Sequence, residues 1–244
     1  MSLLSPEKWG QTPFFSLTMF AERLRIRLSP TEVLVGERSI ACDPAFGAES
    51  WQGAVAALKA LEWTRRCRVT VVLANPIVRY AVVPWSDALA GPQEEEAYLR
   101  HHFAKIHGER AKGWTVRASE DRHGVPRLAS GIDTALLDEL KRAFPNGGKA
   151  RLVSVQPELM EAINRWRGAI PDAGAWLVLA EPGRACVALH REGGWRSVQN
   201  AKGEWLTLLE RERYRSAEAP NLVLLAGAAP PKESANWKFR ELAA

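Results

Sequence analysis

The side chains that could do chemistry in this sequence are few and scattered. His101, His102 and His107 fall on one helical stretch. His102 and His107 are five apart, which does not place them on one helix face. The His-Glu-x-x-His spacing that holds catalytic zinc on a helix is missing, so these read as surface histidines. The three cysteines, Cys42, Cys67 and Cys186, are far apart and odd in number, with no Cys-x-x-Cys pair. That excludes a zinc-ribbon pattern and a disulfide framework and fits a reducing compartment. Cys186 sits inside an apolar run and reads as an inert core thiol. There is no Gly-x-x-x-x-Gly-Lys phosphate loop, no Gly-x-Gly-x-x-Gly turn, and no local Ser/His/Asp motif.

Charge gives a second kind of candidate. The formal net charge is +5, and its densest cluster is Arg65, Arg66 and Arg68. Cations favour the last turn of a helix, so the cluster reads first as a solvated helix end. The alternatives are contact with nucleic acid or with acidic lipid. Aromatic residues do not alternate with basic ones as they do on RNA-binding sheets, and no nucleic-acid partner is expected.

The elements that must position these groups follow from hydrophobic periodicity. The chain has 244 residues, 46% hydrophobic and 25% charged, enough for one large domain or two small ones with an ordinary core. Leu24, Ile26 and Leu28 alternate with Arg25 and Arg27, the period of a half-buried strand. Ser29-Pro30-Thr31 turns the chain into Val33-Leu34-Val35, with a short third strand near 39–41. Ser50 is placed as the cap of a helix carrying Trp51, Ala54, Val55, Leu58 and Leu61, closed by the basic cluster. Residues 69–74 form the continuous apolar run of a strand buried on both faces.

A β segment over 77–83 ends at Pro84-Trp85. A helix opens at Gly91-Pro92 with Glu94, Glu95 and Glu96 at its start and Leu99, Phe103 and Ile106 as its apolar stripe. Strands are expected over 114–119, 125–130 and 151–155. Asp133 or Thr134 caps a helix bearing Leu136, Leu137, Leu140 and Phe144, and Pro157 opens another with Leu159, Ala162, Ile163 and Trp166 inward. After Pro171-Asp172 the pattern restarts, with strands near 176–180, 185–190 and 195–199, a helix through Trp205, Leu208 and Leu209, and strands near 221–226 and 237–242. Most of the ten tryptophans fall at core phases. The apolar runs at 69–74 and 173–180 are far shorter than the roughly 18–20 residues that span a bilayer. The N-terminus has no secretory pattern, and residues 1–20 read as a loose arm.

The chain thus reads βββ-α-β twice, with an α+β insertion near 77–130. That order resembles the actin-like, ribonuclease-H-like superfamily. The segment VRYAVVPW (78–85), the acidic-started helix EEEAYLRHHFAKIHGE (94–109), the helix TALLDELKRAF (134–144) and the run RLVSVQPELMEAINRW (151–166) narrow the resemblance to two families. These are the PilM family of type IV pilus assembly proteins and the cytoplasmic domains of the GspL family of type II secretion. The likeness covers about 20–240. It implies an α/β fold of two ribonuclease-H-like lobes, 21–170 with the insertion and 171–244.

It also implies a scaffold at the cytoplasmic face of the inner membrane. Such a scaffold binds the cytoplasmic tail of a membrane platform protein and, in secretion systems, the motor ATPase; a homodimer is a further expectation. GspL proteins continue into a membrane helix and this sequence does not, which favours a peripheral protein like PilM or a truncated chain. The groove implied for the partner lies between the first half and the insertion, with Arg79, Tyr80 and Trp85 as its lining.

Active ATPases of this superfamily cup phosphates with two Asp-x-Gly turns, one per half. The acid holds Mg²⁺ through water and glycine admits backbone N–H groups. The matching positions here are Ser29, Pro30 and Thr31 in the first half and Glu181, Pro182 and Gly183 in the second. The first has neither acid nor glycine, and each has a proline, which lacks an N–H. The glycine pair expected near the adenosine is reduced to Gly227 after Leu225-Ala226. The expectation is a pseudo-ATPase with no cofactor and no metal. The competing readings are an active Mg·ATP-dependent ATPase or kinase of the same superfamily and a nucleic-acid-binding protein.

Overall fold

A computed structural model describes residues 22–89, 91–216, 219–232 and 236–242; the arm read over 1–20 lies outside them. In chain order the strands are β1 (Glu22–Leu28), β2 (Glu32–Val35), β3 (Arg38–Ala41), β4 (Cys67–Leu73), β5 (Arg79–Val83), β6 (Trp114–Ala118), β7 (Arg127–Asp133), β8 (Ala150–Pro157), β9 (Ala175–Glu181), β10 (Arg184–Arg191), β11 (Gly194–Lys202), β12 (Leu222–Ala226) and β13 (Lys238–Glu241). The α-helices are α1 (Gln52–Lys59), α2 (Pro92–His107), α3 (Thr134–Ala143), α4 (Glu158–Trp166) and α5 (Trp205–Arg215).

Two five-stranded sheets repeat one plan. The first has the order β3-β2-β1-β4-β8 and the second β11-β10-β9-β12-β13. In each, three strands form an antiparallel meander and two more add in parallel beyond the first of the three. A third sheet, β5-β7-β6, comes from the insertion. The chain divides into two compact units. One contains the chain up to Val78, Gly113–Thr115 and Ile132–Glu161; the other contains Arg79–Lys112, Val116–Gly131 and the chain from Ala162 onward.

In the first unit Ile26, Leu28, Val69 and Val71 are fully buried, as are Ala54 of α1 and Leu136 and Leu140 of α3. Each fully buried Val, Leu or Ile side chain contributes about 1.5–3 kcal/mol. Asp133 caps α3 by accepting from the Ala135 amide at 2.9 Å, and its second oxygen accepts from Trp51 Nε1 at 3.1 Å. One short acid therefore starts α3 and anchors the cap residue of α1. In the second unit Trp176, Val178, Val187, Leu209, Val223 and Leu225 form the centre of a separate core. Trp176 is completely buried, and its indole N–H donates to the Pro220 carbonyl at 3.0 Å.

Several local expectations shift. Trp51, not Ser50, occupies the cap of α1, with no side-chain cap bond. The same helix stops at Lys59, so Arg65 and Arg66 lie in a loop and Arg68 on β4 rather than on a helix end. The segment at 77 is a 3-10 turn, because Pro76 cannot donate within a strand. Ile106 is 53% exposed while Leu99 and Phe103 are buried, so the apolar stripe of α2 is narrower than its periodicity predicts. Of the nine tryptophans among the described residues, Trp51, Trp166, Trp176, Trp195 and Trp237 are buried and the others half-buried. No helix among the described residues is long and apolar enough to cross a membrane.

Candidate functional site

In open α/β sheets, ligands gather outside the carboxyl ends of the parallel strands. In the first unit those ends belong to β1, β4 and β8, and three polar side chains meet there. Arg27, next to the last residue of β1, makes a two-pronged pair with Glu158, the first residue of α4. Its Nε lies 2.6 Å from Oε1 and its Nη2 3.1 Å from Oε2. Asn75, in the 3-10 turn after β4, donates to the same Oε2 from its side-chain Nδ2 at 3.2 Å and from its backbone N–H at 3.3 Å. Asn75 is buried and the Arg27 and Glu158 side chains are only 20% and 15% exposed. One strand turn back, Arg25 pairs with Glu161 at 3.4 Å. The spacing explains both pairs: residues two apart on a strand share a face, and residues three apart on a helix share one too. The Glu158 carboxylate thus accepts from a guanidinium and from two N–H groups of Asn75.

Next to it, the turn from β1 to β2 is closed on itself. The Ser29 amide and hydroxyl both donate to the Glu32 carbonyl, at 2.9 and 3.0 Å. Pro30 has no N–H to offer. In the second unit Pro182-Gly183 joins β9 to β10, with Gly183 at φ +69°, a left-handed backbone that favours glycine. Gly227, just past β12, has φ +81°, and a Cβ there would stand 2.1 Å from the Ala180 carbonyl oxygen. Close backbone approach alone requires this glycine.

The three partner-lining candidates separate by environment. Arg79 opens β5 and is exposed; desolvation, then the charges of Arg184 and Arg110, hold its guanidinium below the ordinary arginine range. Tyr80, the next residue, is buried. Trp85 lies half-buried after β5 and is clamped. Its indole N–H donates to Asp87 Oδ1 at 2.8 Å, the His123 ring lies 4.5 Å from its own, and Arg127 Cζ stands 5.5 Å from its centroid. Arg127 is held in turn by Glu95 of α2 at 2.7 Å. A half-buried, pre-ordered indole is the kind of group that anchors protein contacts.

A groove of about 540 Å³ runs between α1 and α3 in the first unit. Trp51 and Val55 form its floor, Phe46, 56% exposed, forms one wall, and Lys59, Glu139 and Arg142 form its rim. Glu139 accepts from both Lys59 and Arg142, and the Lys59 bond is the main cause that holds its carboxyl below the ordinary range.

The histidines of α2 do not converge. Burial lowers the His102 and His107 imidazoles, reinforced by Lys105 beside the first and Arg79 beside the second. Among the described residues no three His, Cys, Asp or Glu side chains gather closely enough to hold a metal ion. Cys186 is wholly buried on β10. The residues missed by sequence reasoning are Arg27, Asn75 and Glu158. The signal that could have found them is the paired spacing of Arg25/Arg27 on the strand and Glu158/Glu161 on the helix.

No protein-family model matches the sequence, and no curated protein is similar enough in sequence to count as a relative. Solved structures do match. The cytoplasmic domain of EpsL, an inner-membrane component of the type II secretion system of Vibrio cholerae, superposes with a TM-score of 0.58 at 16% identity, over 92% of this chain and 90% of that one. The PilM–PilN type IV pilus biogenesis complex matches at 0.56 and 13% identity, over 84% and 81%. A Bacteroides thetaiotaomicron protein of unknown function with an actin-like ATPase fold matches at 0.54 and 14%, over 91% and 88%. With the strand order repeated in two sheets, these likenesses identify the chain as having the actin-like ATPase fold, the fold shared by the EpsL cytoplasmic domain and PilM.

Proposed function

We propose that this chain is a non-catalytic scaffold of an inner-membrane assembly platform, of the type II secretion or type IV pilus kind, at the cytoplasmic face. The observation that carries the reading is the likeness to the EpsL cytoplasmic domain over nine tenths of both chains. The partner is an inner-membrane platform protein, met through its cytoplasmic tail, and a motor ATPase is a second one. Trp85 and Arg79, on the same inserted segment whose Tyr80 is buried, and the groove between α1 and α3 are the surfaces available for them. The self-closed turn at Ser29-Pro30-Thr31, the proline in the second turn, and the matched Arg27–Glu158–Asn75 cluster support a chain without ATPase chemistry.

The chain, immobilised and exposed to a detergent extract of membranes, should retain an inner-membrane pilus or secretion component identified by mass spectrometry. Recovery of none overturns the reading. Mg·ATP should leave the melting temperature unchanged, since a ligand that binds only the native state must raise it. A rise accompanied by phosphate release would make the chain an ATPase.

A further inference from the structure

The cationic cluster at 65–68 is larger in the folded chain than in the sequence. Parallel pairing sets Arg23 of β1 level with Arg68 of β4, and Arg68 level with Arg151 of β8. Residues in register on neighbouring strands project from one face, and strands lie about 4.8 Å apart. Three arginines thus stand in a row about 10 Å across. Lys149 lies just before β8, and Arg65 and Arg66 just before β4, at the same end of the sheet. Arg23, Arg65 and Lys149 are exposed, and Arg68 and Arg151 half-buried. Among the described residues no carboxylate pairs with Arg23, Arg65, Arg68, Lys149 or Arg151, whereas Arg25 and Arg27 on the same strand each have a glutamate. Like charges side by side on a sheet oppose folding. The row therefore persists against its own repulsion, and an outside anion would relieve it. Trp63, half-buried, precedes Arg65 in the α1–β4 loop and rests 5.7 Å from the Phe144 ring. An indole beside clustered cations suits the water–bilayer boundary.

We propose that this rim docks on the anionic phospholipid headgroups of a membrane, with Arg23, Arg68 and Arg151 meeting the phosphates and Trp63 at the boundary. Guanidinium forks match phosphate oxygens in pairs. The proposal rests on the reading of the chain as peripheral to the inner membrane, which favours a lipid surface over a nucleic-acid backbone.

The test is co-sedimentation of the full chain with vesicles of phosphatidylglycerol in phosphatidylcholine, and with phosphatidylcholine alone. Binding is expected to the first only. It should weaken as added salt shortens the screening length from about 10 Å at 0.1 M to about 3 Å at 1 M. Each Arg→Gln change should weaken binding about fivefold, and the triple variant Arg23→Gln/Arg68→Gln/Arg151→Gln about a hundredfold. The triple variant should melt no lower than the parent, because it relieves repulsion; Arg100→Gln, elsewhere on the surface, should bind as the parent does. Binding absent at low salt, equal on neutral vesicles, or unchanged in the triple variant overturns the proposal. So does tighter binding to a DNA duplex at the same salt, or release from vesicles by inorganic phosphate at matched ionic strength. If a platform component is captured while vesicles are not, the lipid contact alone fails. If vesicles bind through the row while no component is captured, the platform reading alone fails.

Discussion

The two five-stranded sheets share a strand order and a pattern of pairing, yet they distribute charge in opposite ways. In the first, β1 carries Arg23, Arg25 and Arg27 along one face, two of them held by glutamates of α4. In the second, the equivalent β9 is buried from Ala175 through Leu179, and its largest side chain, Trp176, sits at the centre of an apolar core. The backbone plan is the same because it is set by apolar runs and turns. The polar decoration differs because it is confined to faces and strand ends that the plan does not need. Function in this fold is set by those faces and ends rather than by the shared plan.

The comparison can be broken by changing one centre at a time. Trp176→Ala should cost about 3–5 kcal/mol, combining lost burial with a cavity. Urea unfolding would read this, and a loss below about 1 kcal/mol would mean that the second core is not centred there. Glu158→Ala leaves Arg27 and Asn75 without their shared acceptor in a partly buried site and should cost about 2–3 kcal/mol. Glu158→Gln should restore part of that, whereas a neutral Glu158→Ala would make the cluster ornamental. Gly227→Ala drives a Cβ into the Ala180 carbonyl from a left-handed backbone and should cost about 2 kcal/mol or more. Gly183→Ala, at similar φ but with open space around it, should cost about 1 kcal/mol.

A pH titration sharpens the contrast further. Burial lowers the His190 imidazole, opposed by Asp121 and aided by Arg196 and Arg122. Below the ordinary histidine value of 6.5 the unfolded chain then binds more protons than the native one. Stability from this group is therefore complete above that pH and declines as pH falls toward the depressed native value. The melting temperature should drop between pH 6.5 and 5, and His190→Gln should flatten the slope. The smallest effect belongs to Arg25→Ala: its pair with Glu161 is 40% exposed on the arginine side, and its loss should cost about 0.5 kcal/mol. A larger value would place Arg25 on a par with Arg27.

Period and punctuation made most of the fold legible. The alternation Leu24-Arg25-Ile26-Arg27-Leu28, most of the run at 69–74, and the turn at Pro182-Gly183 fall on the elements they predict. Helix ends were less legible. Ser50 is a good cap in isolation, but the chain enters α1 one residue later, with Trp51 bonded to Asp133, an acid far along the chain. The candidate site was not legible: Arg27, Asn75 and Glu158 lie on three chain segments that only the folded sheet brings side by side. The arginine row is of the same kind: Arg68 was visible as part of a cluster, but Arg23 and Arg151 align with it through strand register alone.

The position of β8 has a consequence for how the chain is made. β9, β10 and β11 follow one another directly, so the second meander can close as soon as it is synthesised. β4 pairs with β8 only after the whole insertion and α3 have passed, and until then the Val-rich stretch 69–73 is an unpaired sheet edge. Distant strand pairing is slow, and open apolar edges invite association between chains. Nascent chains that end before Ala150 should therefore be the ones that need a chaperone.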